Sequence, residues 1–273
     1  MLVNTVQNSG FALSLTLFAG LSTGIGSLLG LSTRRSSNTF LTLSLGFSAG
    51  AMIYVSLVEI LPKARLALQP ILGNSLGYGA TVIAFFAGVA FCALIDNLLP
   101  AHDSSVIFKL QSREENSQTV LGRKRLWRMG LFSAVAIAIH NFPEGLATFL
   151  GALNNPKLGV SIAVAIAIHN IPEGLAVSAP IYFATGSRSK AFWYSFLSGL
   201  AEPIGGLVGY FLFRSFPNQL VFGLVFAAVA GVMLYISFDE LLPAAKEYGE
   251  HQHAIWSLIA GMAVMALSLV LLA

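Results

Sequence analysis

Long runs of apolar residues, separated by short polar stretches, dominate the pattern of this chain. A membrane-spanning α-helix needs about 20 consecutive apolar residues. Eight runs approach or exceed that length, at about 11–31, 40–61, 76–99, 129–151, 158–183, 190–213, 220–242 and 254–272. The runs do not alternate between apolar and polar positions, as the strands of a membrane β-barrel would. The pattern therefore predicts an all-α integral membrane protein whose eight transmembrane helices form one domain, residues 1–273.

Composition agrees with this pattern. Hydrophobic residues make up 56% of the chain and charged residues only 10%, whereas a soluble domain is typically about 25% charged. The only cysteine, Cys92, lies within the third predicted span, so an intrachain disulfide and a cysteine-based zinc cluster are both excluded. A cleavable signal peptide begins with a positively charged region, but the first ten residues of this chain contain no Lys or Arg. We therefore expect the first span to be retained.

The distribution of basic residues predicts the orientation in the membrane. With eight spans, 11 of the 15 Lys and Arg residues fall on one face. By the positive-inside rule this face is cytoplasmic, which puts both termini outside. Six of the 11 belong to the polar segment 100–128, which we interpret as a cytoplasmic loop. Its basic cluster RKRLWR, at 123–128, is better explained as a topology anchor than as a nucleic-acid site, because no soluble domain presents it.

Three internal repeats relate the spans to one another. The stretch AVAIAIHNFPEGLA at 134–147 returns as AVAIAIHNIPEGLA at 163–176, with 13 of 14 positions identical, in spans four and five. Residues 49–65 match 230–246 in spans two and seven, and residues 20–30 match 199–209 in spans one and six. The paired spans run in opposite directions, so the repeats are inverted, with spans 1–3 against 6–8 and span 4 against 5. Inverted repeats with a binding site near the midplane are typical of secondary transporters.

Spans four and five carry the same His-Asn-x-Pro-Glu motif. In each copy the His and the Glu are four residues apart, which puts them on one face of the helix, about one turn from each other. Imidazole nitrogen, carboxylate oxygen and amide oxygen together suit a borderline divalent metal such as zinc or ferrous iron. The candidate ligands are His140, Asn141, Glu144, His169, Asn170 and Glu173.

A further carboxylate, Glu202, lies within the sixth span, where its repeat partner in the first span is Thr23. Glu144, Glu173 and Glu202 all lie deep in their spans, and no Lys or Arg occupies a span interior. Each charge at the bilayer centre costs roughly 2.5–3.5 kcal/mol on the insertion scale. A bound divalent cation would neutralise the three carboxylates. Protonation is the alternative, since burial favours the neutral acid, and we expect metal and proton to compete.

Some further residues are weaker candidates for the path by which a metal enters or leaves, namely Met52, Glu59, Asp239 and Glu240. Glu59 and Glu240 precede prolines at the predicted ends of their spans, where a helix-end role is favoured over contact with a metal. Asp96 and Asp239 are interpreted in the same way. Met52 stands in the repeat of spans two and seven, where packing of its thioether in the core is the favoured explanation.

HNFPEG and HNIPEG in the fourth and fifth of eight spans, with GLAEP in the sixth, resemble the ZIP (Zrt-, Irt-like) metal transporters. The resemblance implies a homodimer in the cytoplasmic (inner) membrane that brings zinc, and often iron or manganese, into the cytoplasm. It also implies that one bundle of helices slides against the rest. Many members carry a histidine-rich loop between spans three and four, whereas residues 100–128 hold only His102, which makes metal sensing by this loop doubtful.

The resemblance further implies a binuclear metal site. One metal ion would bind His140, Glu144, His169 and Glu173. The other would bind Asn141, Asn170 and Glu202 and share Glu144 and Glu173 with the first.

The resulting hypothesis is a transporter of Zn²⁺, and also of Fe²⁺, Mn²⁺ or Cd²⁺, in which the metal is substrate and not cofactor. Its expected partners are the metal ion, membrane lipid and a second copy of the chain, and no nucleic acid. An intramembrane zinc hydrolase with the same ligands is the second hypothesis, although the H-E-x-x-H signature of zinc proteases is absent. A structural membrane protein is the third.

Overall fold

The computed structural model describes residues 2–32, 38–98, 115–154, 156–213 and 219–272. These residues are almost entirely helical, as the sequence predicts. The α-helices are α1 (Leu2–Leu31), α2 (Asn38–Val55), α3 (Leu61–Leu72), α4 (Asn74–Leu98), α5 (Glu115–Asn154), α6 (Pro156–Thr185), α7 (Arg188–Gly199), α8 (Ala201–Phe213), α9 (Gln219–Tyr235), α10 (Leu242–Tyr248) and α11 (His251–Leu272). Two π-helical segments, Ser56–Ile60 and Ile236–Leu241, join α2 to α3 and α9 to α10.

Within the described residues these elements form eight helical rods, which confirms the all-α membrane fold. Six rods are long and apolar enough to cross a membrane, namely Ser9–Leu31, Asn38–Leu72, Asn74–Asp96, Gly159–Thr185, Gln219–Tyr248 and His251–Leu271. The other two rods are α5, which contains the fourth predicted span, and the pair α7 and α8, which contains the sixth. That sixth rod is interrupted at Leu200, just before the sequence Ala-Glu-Pro.

The segment 100–128, which we interpreted as a loop, is in part helical. Helix α5 begins at Glu115, so residues 115–128 extend the fourth rod, whereas 99–114, including His102, lie outside the described residues. An amphipathic pattern explains the extension. Leu126 and Met129 are buried against the bundle, while Arg123 and Lys124 on the other face are exposed. The cytoplasmic position of this segment stays a prediction.

The second and seventh rods continue beyond their predicted ends. The apolar runs that predicted these two spans end directly before Pro62 and Pro243, which lack the backbone N–H that a regular α-helix needs. A π-helical segment precedes each proline and accommodates it. The N–H of Leu61 donates to the carbonyl of Ser56, and the N–H of Leu242 donates to that of Ser237, each five residues back. The helix therefore passes through the proline without a break.

The rods form two groups. Helices α1, α5, α6, α7 and α8 pack mainly against one another, and so do α2, α3, α4, α9, α10 and α11. The groups meet chiefly where α2 packs against α6.

The inverted repeats also appear in the packing. A Cβ on Gly26 of α1 would lie 2.0 Å from the carbonyl oxygen of Ile171, and one on Gly205 of α8 would lie 1.9 Å from that of Phe142. Gly26 and Gly205 occupy equivalent repeat positions, as do Ile171 and Phe142, so the inverted halves make equivalent helix contacts.

Candidate metal site

The two copies of the repeated motif face each other where α5 packs against α6. His140 Nε2 of α5 lies 2.7 Å from Glu173 Oε1 of α6, and His169 Nε2 of α6 lies 3.1 Å from Glu144 Oε2 of α5. Each histidine is therefore paired with the glutamate of the other helix. Ligand atoms of His140, Glu144 and Glu173 also lie within 4.8 Å of one another, close enough to share one metal ion.

These side chains are almost completely removed from solvent. His140, Glu173 and Glu202 are 0% exposed, Glu144 is 2% and His169 is 3% exposed. The Nδ1 atom of each imidazole and one oxygen of each of the three carboxylates have no hydrogen-bond partner among the described residues. Buried polar atoms without partners are rare in proteins. The cluster therefore has imidazole nitrogens and carboxylate oxygens that are available as metal ligands, and these are atom types that bind zinc.

The charge of the cluster cannot be balanced by the described residues alone. No Lys or Arg in the described part of the chain forms an ion pair with Glu144, Glu173 or Glu202. Even if both imidazoles were protonated, three ionised carboxylates would retain one net negative charge. A buried charge without a partner is strongly unfavourable, so at least one further cation or proton is required.

The asparagines of the motif repeat the inverted symmetry. Asn141 Nδ2 donates to the carbonyl oxygen of Ser198 at 3.4 Å, and Asn170 Nδ2 donates to that of Ala19 at 3.0 Å. Ser198 and Ala19 occupy equivalent repeat positions. These contacts fix α5 to α7 and α6 to α1. They leave the Oδ1 atoms of both amides buried and without a partner in the described chain.

Glu202 breaks this symmetry. Asn170 Nδ2 also donates to Glu202 Oε2 at 2.7 Å, which ties the carboxylate to the motif of α6. The equivalent position in α1 holds Thr23, whose buried hydroxyl has no described partner. The carboxylate is brought close by the missing side chain of Gly145, because a Cβ there would lie only 1.8 Å from the carbonyl oxygen of Glu202. The helix is interrupted at Leu200, two residues before Glu202, so Glu202 lies in the first turn of α8, next to the cluster.

One contact from the second group of helices was not expected from the sequence. Ser48 Oγ of α2 donates to the carbonyl oxygen of Pro172, within the α6 motif, at 2.6 Å. The serine lies one residue before the stretch that repeats in spans two and seven. The only signal in the sequence for this contact is general, since small polar residues such as serine are frequent where membrane helices meet.

A second cluster of acidic residues lies away from the motif. Asp96, near the end of α4, meets Asp239 and Glu240 of the second π-helical segment, with one carboxylate oxygen from each within 4.8 Å of the others. All three are at least partly exposed. The sequence did not predict that Asp96 would join them, because the contact depends on how α4 packs against α9.

The other weak candidates have different environments. Met52 is fully buried in the main apolar core and belongs to neither cluster of acidic and histidine residues. Glu59 forms an ion pair with Lys63, one turn further along the helix. Neither environment resembles that of the central cluster, whose residues are buried and have unpaired atoms.

Inverted helix repeats around a buried cluster of this chemistry are typical of secondary transporters. Comparison with known proteins agrees and is more specific. Residues 102–269 match the model of the family described as ZIP Zinc transporter. Proteins named "Zinc transporter ZupT" are similar over nearly their whole length. That of Chlorobium chlorochromatii is 63% identical over 97% of this chain and 98% of its own, and that of Streptococcus mutans is 54% identical over 95% and 97%.

The chain therefore belongs to the ZIP family of zinc transporters. It is a multi-pass membrane protein and a transporter of divalent metal, and not an enzyme, so the zinc hydrolase hypothesis is wrong. In this family zinc is the transported substrate and not a resident cofactor. The metal ligands themselves stay a prediction.

Proposed function

We propose that this protein carries zinc into the cytoplasm through the buried cluster formed by α5, α6 and the start of α8. The names of its relatives support zinc as the metal. The observation that carries the proposal is the unbalanced charge of Glu144, Glu173 and Glu202. Among the described residues their ion-pair partners are two imidazoles, and no Lys or Arg forms an ion pair with them. A divalent cation supplies the missing positive charge.

The geometry supports two adjoining metal positions. His140, Glu144, His169 and Glu173 form the first, because the crossed pairs already bring these four side chains together. Asn141, Asn170 and Glu202 form the second and share Glu144 and Glu173. The contact between Asn170 and Glu202 supports this second position. Metal would replace the hydrogen bonds now made within the cluster, so the same atoms serve both states.

The ligand set suits more than one metal. Imidazole and carboxylate bind zinc, ferrous iron, manganese and cadmium with affinities that overlap, so we propose Fe²⁺, Mn²⁺ and Cd²⁺ as further substrates. Amide and carboxylate oxygens hold a metal less tightly than a closed cage of four cysteines. This favours release after capture, as transport requires.

Transport needs access to the cluster from each side in turn, and here its side chains are almost fully buried. We propose that the group formed by α1, α5, α6, α7 and α8 slides against the other group. The hydrogen bond from Ser48 of α2 to the α6 motif lies on the boundary that would move. We further propose a homodimer in lipid of the cytoplasmic membrane, with both termini outside and residues 100–128 in the cytoplasm.

Zinc uptake into liposomes tests this proposal. Purified protein is reconstituted with a zinc-sensitive dye inside, and the wild type is compared with the double variant Glu144→Gln, Glu173→Gln. The two amides keep the shape of the side chains and remove both charges that the metal positions share. We expect uptake to fall to the level of protein-free liposomes. Glu250→Gln is the matched control, because Glu250 is 79% exposed and should transport normally. Normal uptake by the double variant would contradict the proposal.

A further inference from the structure

The N-terminal part of α5 connects the two groups of helices. Three polar contacts join it to helices of the other group. Arg128 Nη2 lies 3.0 Å from Asp96 Oδ1 of α4, Arg125 forms an ion pair with Glu247 of α10, and Tyr248 Oη of α10 donates to the carbonyl oxygen of Gly122 at 3.3 Å. All three lie on the face that the basic residues predict to be cytoplasmic.

The contact made by Arg128 is the best defined of the three. The same Nη2 also donates to the backbone carbonyl of Asp96 at 3.2 Å, so one guanidinium group binds both the side chain and the main chain there. Asp96 lies in the last turn of α4, where carbonyl groups lack helical partners and a positive charge is favoured. Both side chains of the pair are about three-quarters buried, at 24% and 23% exposure, so water screens their interaction less than it would at an open surface.

Arg128 is also the cation of the second acidic cluster. Asp96 shares that cluster with Asp239 and Glu240. Among the described residues, Arg128 forms an ion pair with Asp96 of this cluster. The nearby Arg125 is paired instead with Glu247. Removing the guanidinium group would leave Asp96 without its ion-pair partner and close to two further carboxylates. Repulsion among them would then act against the closed arrangement.

Below this ion pair, α4 and α5 are separated by an apolar cleft. Helix α4 packs chiefly against α3 and α9 and makes little close contact with α5. The cleft is lined by Cys92 and Ile95 of α4 and by Phe132, Ala136 and Ile139 of α5. Ile95 directly precedes Asp96 and Ile139 directly precedes His140, so residues next to both clusters line the cleft. Its apolar lining offers no hydrogen bond that would hold the two helices together.

We propose that the Arg128–Asp96 pair is a latch that keeps the seam between α4 and α5 closed on the predicted cytoplasmic side, and that this seam opens when metal is released inward. The latch is a positioning device, since neither residue belongs to the central cluster. The statement about release rests on the proposed transport function. The statement about the seam does not, because it concerns the resting contact between two helices.

Cys92 provides a native reporter for the seam. It is the only cysteine of the chain, is 2% exposed and lines the cleft between α4 and α5, so we expect its alkylation to be faster when these two helices separate. The rate of alkylation by N-ethylmaleimide is measured on full-length protein in liposomes without metal. We expect Arg128→Gln and Asp96→Asn each to raise this rate about three- to tenfold, the range of a partly buried, charge-assisted contact. Arg128→Lys should label more slowly than Arg128→Gln, because it retains the charge.

Arg123→Gln is the matched control, since it removes a positive charge from an exposed position of the same helix and should leave the rate unchanged. Cys92→Ser measures the background of the assay. Equal labelling of wild type, Arg128→Gln and Asp96→Asn would overturn the latch. A rise that Arg123→Gln reproduces would overturn it as well, because net charge and not the ion pair would then set the rate. These readouts decide the question even if the protein carries no zinc.

A covalent lock tests the statement about release. In a Cys92→Ser background, Asp96→Cys and Arg128→Cys are joined by a bifunctional methanethiosulfonate, which a reducing agent removes. We expect zinc uptake to stop on cross-linking and to return on reduction of the same sample. Unchanged uptake after complete cross-linking would overturn the release step. The absence of uptake in the reduced variant would also count against it, because a latch is not a metal ligand.

Discussion

Among the residues that the structure describes there are two clusters of three acidic residues, and their surroundings differ in burial and in charge balance. Glu144, Glu173 and Glu202 are almost fully buried, with imidazole and amide groups as their described partners. Asp96, Asp239 and Glu240 are partly exposed, and a guanidinium group binds the first of them. Solvent and Arg128 can stabilise the outer cluster when no metal is bound, whereas the central cluster has neither. A cluster of acidic residues therefore indicates a metal site mainly where the cluster is buried and no basic side chain balances its negative charge.

The largest effect is expected from exchanging Glu202 and Thr23, which occupy equivalent repeat positions but differ in chemistry. Glu202→Thr makes the two inverted halves alike and removes one carboxylate. We expect at least about a tenfold loss of apparent affinity for zinc in liposome uptake, because one ligand of the proposed second metal position and one negative charge disappear. Adding Thr23→Glu to that variant places a carboxylate at the equivalent position of α1. If the inverted symmetry extends to function, part of the affinity returns. An affinity unchanged by Glu202→Thr would remove Glu202 from the site.

A smaller effect is expected from the helix contact that brings Glu202 close. In Gly145→Ala the new Cβ would collide with the carbonyl oxygen of Glu202, so α5 and α8 must move apart. Overpacking of this kind costs about 1–3 kcal/mol, which we expect to appear as a lower midpoint of thermal unfolding in detergent and a slower zinc uptake. Gly79→Ala is the control, because nothing lies within 4 Å of a Cβ at that position. Equal stability of the two variants would show that the close approach is not needed.

The smallest effect is expected at the outer cluster. Asp239→Asn with Glu240→Gln removes two carboxylates from a cluster in which Asp239 is exposed to solvent and Arg128 pairs with Asp96. We expect less than about a threefold change in the rate of zinc uptake, since exposed charges contribute little individually. The same liposome assay measures it. A loss as large as that of the Glu144→Gln, Glu173→Gln variant would erase the distinction between the clusters and make the outer one part of the obligatory path.

Much of this architecture could be predicted from the pattern of the chain. Apolar runs gave the order of the eight rods, and the identical motifs at His140 and His169 indicated an inverted pair with metal-binding chemistry. The ends of the rods were less predictable. The apolar runs end before Pro62 and Pro243, and the pattern does not reveal that a π-helical segment lets the helix continue through each proline. The helical start at Glu115 depends on packing of Leu126 and Met129 against distant helices.

The contacts within the site divide in the same way. The spacing of His140 and Glu144 places them on one helix face, and this follows from helix geometry alone. That each histidine pairs with the glutamate of the other helix depends on how α5 and α6 cross, which no local pattern contains. The hydrogen bond of Ser48 to the α6 motif and the pairing of Arg128 with Asp96 likewise join residues far apart in the chain.

The crossed pairing of histidine and glutamate has a mechanical consequence. Both pairs span the boundary between α5 and α6, one in each direction, so pulling these two helices apart would break both at once and expose four polar groups to a dry interior. Bridging metal would make that separation costlier still. In the proposed sliding motion the fourth and fifth rods would therefore move together, and the movement would occur along their outer surfaces and not between them.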